Sequence, residues 1–142
     1  MNTNKILLAG LVGGVAAFLL GWLVWGILLS GFYANNAGPA AEAAMRGDKD
    51  MLWIPLILGN LAWGYFFAVI FGRWANISTF VTGAKAGAVL GLLVALFYDL
   101  MNLGTTYLMT TTGAIVDIIA SALVSAIIGG VVGWMLGRNG GK

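Results

Sequence analysis

The sequence contains no cysteine and no histidine. Their absence excludes disulfide bonds, thiolate and imidazole metal ligands, haem ligation by histidine, a Ser-His or Cys-His nucleophile and a histidine proton switch. Charge is also scarce, since only 8% of the 142 residues are charged, against about 25% in a soluble domain. The few basic residues form no stripe that would follow nucleic-acid phosphates. The sequence therefore predicts no metal, no cofactor and no nucleic-acid partner.

Hydrophobic residues make up 61% of the chain. A bilayer core about 30 Å thick needs about 20 mostly apolar residues per helix, and four stretches meet that length: residues 6–30, 52–72, 83–106 and 114–136. The first stretch is longer than the apolar region of a signal peptide, so we expect a retained span. The sequence predicts an all-α integral membrane four-helix bundle, a single domain over residues 1–142 that crosses a cell membrane several times.

Basic residues predict the orientation of this bundle, because cytoplasmic loops carry an excess of Lys and Arg. Only Arg46 and Lys49 lie in the loop formed by residues 31–51. We expect both termini to be cytoplasmic and this loop to be external, with a short surface helix over residues 39–46 that starts at a proline. The basic residues on the side of the termini are Lys5, Arg73, Lys85, Arg138 and Lys142.

Small residues recur at every fourth position of the third and fourth predicted spans. Such rows let helix backbones approach closely in lipid, where burial of apolar surface does not drive helices together. Two compatible interpretations follow: packing within the chain, and an interface between copies of a homo-oligomer. The rows consist of Gly83, Gly87, Gly91 and Ala95 in the third span, and of Ser121, Ser125, Gly129, Gly133 and Gly137 in the fourth.

Two acidic residues, Asp99 and Asp117, lie within predicted spans. A carboxylate in hydrocarbon is costly, so such residues face the bundle interior or a water-filled cavity and mark a functional site by default. The short connection at residues 107–112 places both at a similar depth on the external side. Asp117 lies near the start of its helix, where we expect the helix dipole to favour a negative charge. If the two groups come within a few Å, the pair can share a proton or hold a cation.

Other polar residues offer partners for these aspartates. Asn102 and Thr106 follow Asp99 at helical spacing and continue its face towards the external end of the span. In one interpretation they belong to a ligand site. In the other, each aspartate hydrogen-bonds a facing helix through Asn60 or the hydroxyls of Thr105 and Thr106, and the bonds only hold the bundle together.

Aromatic residues are concentrated at the same end of the bundle. Those at the membrane interface form a belt that requires no function. The deeper aromatic residues either pack the helices or line an externally facing pocket, and aromatic and carboxylate walls favour a cationic or amphipathic ligand. The interfacial residues are Trp53, Phe32, Tyr33 and Tyr107, and the deeper ones are Trp22, Trp25, Trp63 and Tyr98.

Residues 98–105 read Tyr-Asp-Leu-Met-Asn-Leu-Gly-Thr, and an Asp follows in the next span. This pattern resembles a family of uncharacterised bacterial four-helix inner-membrane proteins with Tyr-Asp-Leu-Thr-Asn-x-Ala-Thr in the third span. Met101 stands where that family has Thr, Gly104 where it has Ala, and Ala120 where a Trp is expected. The resemblance implies the four-helix fold and a bacterial inner membrane but no reaction. The residues that it marks are Asp99, Asn102, Thr105 and Asp117.

The sequence leaves two functions open. Intramembrane aspartyl proteases also set a Tyr-Asp on one span against an Asp on the next, but Ile115 and Val116 stand where those enzymes have a Gly-x-Gly pattern, so we expect no enzyme. The first function is a homo-oligomer that binds or transports a small cation or an amphiphile. The second is a non-catalytic accessory subunit, with other membrane proteins as its partners.

The predicted orientation is testable by cysteine labelling, since the chain has no cysteine of its own. Single cysteines at Ala43 and at Gly140 should react from opposite sides of the membrane, because the excess of Lys and Arg places the termini in the cytoplasm. A membrane-impermeant maleimide applied to intact cells should label A43C and spare G140C until the cells are opened. Labelling of both from the same side would contradict the topology.

Overall fold

A computed structural model describes residues 1–138 of the chain. Within that range it contains six α-helices and no β-strand, and only an isolated bridge joins Ala37 to Met109. Gly140 and Lys142, which the topology prediction uses, lie outside the described residues. The helices are α1 (Thr3–Gly21), α2 (Ser30–Asn36), α3 (Ala41–Ala44), α4 (Trp53–Val69), α5 (Phe80–Thr105) and α6 (Thr111–Gly137).

Two long helices end in wider π-helical turns, Trp22–Leu28 after α1 and Ile70–Ala75 after α4. With these turns included, four helical segments are long and apolar enough to cross a membrane, which confirms the four predicted spans. The segments are Thr3–Leu28, Trp53–Ala75, Phe80–Thr105 and Thr111–Gly137.

Most of these helices begin about three residues before the predicted apolar stretches. The reason is capping: the side chains of Asn2, Thr79 and Thr110 accept hydrogen bonds from backbone N–H groups of the first turns of α1, α5 and α6. Polar residues therefore start the helices that apolar residues continue.

The first loop contains the short helix α3, but this helix begins two residues after Pro39. The proline therefore precedes the first turn and does not occupy it, in contrast to the prediction. The loop also contains α2, which follows the first span almost without interruption and which the sequence pattern did not indicate.

Helix α6 occupies the centre of the structure. It packs along α5 on one side and along α1 on the other, and α1 packs along α4. Helix α5 makes no comparable contact with α1 or α4. The four spans thus lie in the order α4, α1, α6, α5, and the bundle is open between α4 and α5.

The small-residue rows lie at these helix contacts. A Cβ atom added at Gly87 or at Gly129 would meet the backbone of the facing helix, with α6 on one side and α5 on the other. The pair formed by Gly14 and Gly64 joins α1 to α4 in the same way. The rows therefore serve packing within the chain, whereas an interface between copies stays a prediction.

Both described ends of the chain lie at the same end of the bundle. The Arg73 guanidinium donates a hydrogen bond to the Thr3 hydroxyl (3.0 Å), and Gly137 lies against the carbonyl of Ser78. The largest fully buried side chains, except for one aspartate, fill this half of the bundle: Phe67, Phe71, Ile128, Val132 and Leu136. The opposite half holds α2, α3 and the α5–α6 connection.

Close contact between α5 and α6 predicts that Gly129→Ala destabilises the protein. The new methyl group would lie 2.5 Å from the Gly83 carbonyl oxygen and 2.8 Å from the Gly87 Cα atom, and these backbone atoms cannot move aside alone. We expect a loss of about 1–3 kcal/mol in the free energy of unfolding, measured by thermal unfolding of the purified protein in detergent.

Gly59→Ala is the matched control, because nothing lies within 4 Å of a Cβ atom added at this helical position. We expect it to be neutral or to stabilise by about 0.5–1 kcal/mol, since alanine favours the helix. Equal effects of the two substitutions would show that the α5–α6 contact does not hold the structure together.

Candidate functional site

A cavity of about 320 Å³ lies among the four spans, in the half of the bundle away from the termini. All four spans contribute to its walls. Its polar lining consists of Trp25, Asn60, Tyr98, Asp99, Asp117, Ser121 and Ser125. Its apolar lining consists of Ala17, Gly21, Trp63, Gly91, Val94, Ala95, Val124 and Ile128.

Asp117 lies in this wall with donors on three sides. Its Oδ1 atom accepts hydrogen bonds from the Trp25 indole N–H (2.6 Å) and the Tyr33 hydroxyl (2.8 Å). The Ser121 hydroxyl donates to Oδ2 at 3.5 Å, the outer limit for such a bond. Two strong donors thus stabilise a negative charge on Asp117.

The helix dipole contributes less to Asp117 than its sequence position indicated. Helix α6 begins at Thr111, so Asp117 lies almost two turns inside the helix. The effect of the dipole falls off within the first turn. Its carboxylate is therefore held mainly by side chains from the π-helical turn after α1 and from α2.

Asp99 lies beside this group without comparable partners. It is 1% exposed, and its Oδ2 atom has no hydrogen-bond partner among the described residues. Asp117 lines the same cavity from the neighbouring helix α6. A buried polar atom without a partner costs free energy, and more so if it is charged. A bound proton or a bound cation would therefore stabilise this oxygen atom.

Tyr33 closes the site from α2, beyond the end of the first span. Burial and the hydrogen bond to Asp117 both raise the pKa of its hydroxyl, so it stays protonated and continues to donate. Helix α2 is held in place by its own end, where the Thr110 hydroxyl donates to the Asn36 carbonyl (2.6 Å). Tyr33 is thus a fixed hydrogen-bond donor to Asp117 at this end of the bundle.

The aromatic walls differ in how firmly they are held. Trp63 stacks on Phe66 with ring centroids 4.9 Å apart and planes at 4°, and it meets Phe67 edge-on. On the α5 side, Tyr98 is 63% exposed although it lines the cavity. The cavity thus has a packed wall on α4 and an exposed edge on α5.

Six of the predicted site residues line this cavity, and four do not. Trp22 is 62% exposed on the outside of the bundle. The other three donate hydrogen bonds to carbonyl groups four residues earlier in α5 and are absent from the cavity walls. The six that line it are Asn60, Trp25, Trp63, Tyr98, Asp99 and Asp117, and the three on α5 are Asn102, Thr105 and Thr106.

The same hydrogen bonds within the helices test the alternative interpretation, in which Asn60, Thr105 or Thr106 hydrogen-bonds an aspartate of a facing helix. Asn60 donates to the Leu56 carbonyl (2.8 Å), and Thr105 and Thr106 likewise donate within α5. Short polar side chains often satisfy themselves in this way in helices. None of the three hydrogen-bonds an aspartate in the structure.

Three residues of the site were not expected from the sequence. Ser121 and Ser125 had been assigned to the small-residue row and Tyr33 to the interfacial belt, but the two serines line the cavity and Tyr33 binds Asp117. Serine at positions four and eight after Asp117 shares its helix face, and this spacing was a usable signal. Nothing in the sequence indicated Tyr33, because its approach depends on the course of the chain after the first span.

The donor set suits some ligands better than others. No group of three His, Cys, Asp or Glu side chains converges within residues 1–138. Calcium takes about six to eight oxygen ligands and magnesium about six. A carboxyl pair between aromatic walls therefore fits an organic cation better than a divalent metal ion.

Comparison with known proteins adds no further constraint. The chain matches no family model, no curated protein and no solved structure. The resemblance to bacterial four-helix inner-membrane proteins consequently depends on the motif at residues 98–105 and stays a prediction.

The position of both aspartates in the lining of one cavity predicts that their substitutions are coupled. Asp99→Asn and Asp117→Asn should change the free energy of unfolding non-additively, with a coupling of about 0.5–3 kcal/mol, because each changes the surroundings of the other. Asp99→Asn combined with Asp48→Asn, a residue of the first loop, is the additive control. Additivity of the Asp99 and Asp117 substitutions would mean that the two carboxyl groups act separately.

Proposed function

We propose that this chain is a membrane protein that binds a small organic cation with an apolar part, in the cavity between its four spans. Binding or transport across a bacterial inner membrane, as a homo-oligomer, is the role that we propose for it. The proposal assigns no catalytic residue.

One observation carries this proposal: the buried Asp99 oxygen that has no partner. Such a group does not stabilise a helix bundle, because a buried carboxylate without a hydrogen-bond partner opposes folding. A cation in the cavity would supply the missing partner. Asp117, whose Oδ1 atom already accepts two hydrogen bonds, would contribute negative charge from the neighbouring helix α6.

The cavity walls support an organic ligand. Trp25 and Trp63 contribute aromatic rings, the side chains that attract cations most strongly. The remaining lining is mostly small and apolar, which suits an alkyl or aryl group attached to the charged atom. The volume of about 320 Å³ lies at the lower end of the range for ligand pockets, about 300–1,000 Å³.

The open edge between α4 and α5 supports entry from the lipid side. Val94 and Tyr98 are 40% and 63% exposed and form the rim of the cavity on α5. An amphiphile dissolved in the outer half of the bilayer would reach the aspartates through this gap without crossing a packed interface. The ligand class therefore includes amines that partition into membranes.

An accessory subunit of a larger membrane complex is the second candidate. It is favoured by the position of α5, which packs chiefly on α6 and leaves large apolar side chains such as Val89, Leu93 and Phe97 exposed. A partner helix would cover that face and close the cavity. Purification from native membranes would separate the two candidates, since a stoichiometric protein partner supports the accessory subunit.

Binding is testable with benzyltrimethylammonium, a cation that carries one aromatic ring and no ionisable proton. Titration of the purified protein should change its tryptophan fluorescence, because Trp25 and Trp63 line the cavity. Asp99→Asn removes one charge and should weaken binding by about 1.5–3 kcal/mol, or more than about tenfold. The measurement is the dissociation constant in detergent or in lipid nanodiscs.

Two controls separate charge from apolar attraction. Neopentylbenzene has the same shape as the probe but no charge, and it should bind much more weakly if the carboxyl pair is the recognition element. Asp48→Asn removes a carboxylate from the first loop, far from the cavity lining, and should leave binding unchanged. Equal binding of both compounds, unaffected by Asp99→Asn, would contradict the proposal.

A further inference from the structure

The two carboxyl groups in the cavity can carry two negative charges, and the described residues around them supply no positive charge to balance these. Asp99 and Asp117 line the same cavity from the neighbouring helices α5 and α6, and no Lys or Arg is among the described residues that line it. The other polar groups among the described residues that line the cavity are the Asn60 amide, the Trp25 indole, the Tyr98 hydroxyl and two serine hydroxyls. None of them carries a positive charge.

Each neighbouring helix contributes one side chain near the two carboxyl groups. Helix α6 presents Asp117 to Asp99, α1 with its π-helical turn presents Trp25, and α4 presents Asn60. From α2 the Tyr33 hydroxyl binds Asp117 and not Asp99. The donors thus bind one carboxyl group, whereas Oδ2 of the other, Asp99, has no hydrogen-bond partner among residues 1–138.

Two ionised carboxylates in contact repel each other, whereas a proton between them converts the contact into a hydrogen bond. The Trp25 indole N–H can only donate, and the Tyr33 hydroxyl donates to the same atom, so Oδ1 of Asp117 is the acceptor of both bonds. One proton held by the two carboxyl groups would leave the pair with a single negative charge, and Oδ2 of Asp99, which has no hydrogen-bond partner among residues 1–138, could carry it.

We propose that a cation and this proton exclude each other, so that the cavity exchanges one proton for one organic cation. The inference rests on the proposed function and adds its coupling to protons. Before exchange the pair carries one proton and a net charge of −1. After exchange two carboxylates and one bound monovalent cation also give −1, and the proton leaves to solvent, so charge and protons balance.

The exchange has a definite dependence on pH. Protons compete with the cation, so binding should strengthen as pH rises and should level off once the pair has lost its proton. Over the competitive range the affinity should increase by about tenfold for each pH unit, the slope for one displaced proton. A protein that moves its cation across the membrane by this exchange would carry protons in the opposite direction.

The experiment measures proton release when benzyltrimethylammonium binds to the purified full chain in weakly buffered detergent solution. The probe is a quaternary ammonium ion, so every released proton comes from the protein. We expect about one proton per bound cation in the range where affinity depends on pH. Dissociation constants over the accessible pH range, from tryptophan fluorescence, give the slope independently.

The outcomes separate this inference from the proposed function. Binding without proton release, at an affinity independent of pH, would overturn the exchange and leave cation binding in place. Absence of binding at every pH would overturn both. In the Asp99→Asn variant any residual binding should release no proton, whereas Asp48→Asn should keep the wild-type slope, and retention of release in Asp99→Asn would also overturn the exchange.

Discussion

In a bilayer, apolar side chains gain little by leaving lipid for another helix, so association depends on close approach of backbones and on polar bonds between helices. Helix α6 makes such close contacts with both α5 and α1. At Gly129 its backbone touches that of Gly83 and Gly87, and at Val132 its side chain meets Gly13 of α1. The arrangement of the other spans follows from these contacts, because α5 has no second neighbour of similar extent.

The same small residues explain why a cavity exists. Towards the termini they let α5 and α6 touch, and large side chains such as Phe67 and Phe71 fill the remaining space. Towards the other end Gly21, Ala95 and Ser121 line a volume that no large side chain fills. Small residues thus let α5 and α6 approach closely and also leave a volume that no large side chain fills.

The two aspartates in the cavity differ in their hydrogen-bond partners. Asp117 receives an indole and a phenol, which come from the segment that follows α1, and these bonds fix the course of the chain between Trp25 and Tyr33. Asp99 receives nothing equivalent and is buried nonetheless. The two aspartates are chemically identical, but Asp117 accepts hydrogen bonds whereas Asp99 has an oxygen without a partner among the described residues. The proposed cation binding and the proposed proton exchange both depend on this difference.

The sequence by itself determined the four spans, since twenty apolar residues in lipid have to satisfy their backbone bonds locally and form helices. It also determined the small-residue rows and the similar depth of Asp99 and Asp117. Only the tertiary structure decided that Asn102 and Thr106 bond within α5, that Tyr33 reaches Asp117, that the chain forms π-helical turns, and that the bundle is open beside α5. Helix formation and depth depend on local composition, whereas the neighbours of a side chain depend on which helix faces come together, and that is set by contacts between residues far apart in the chain.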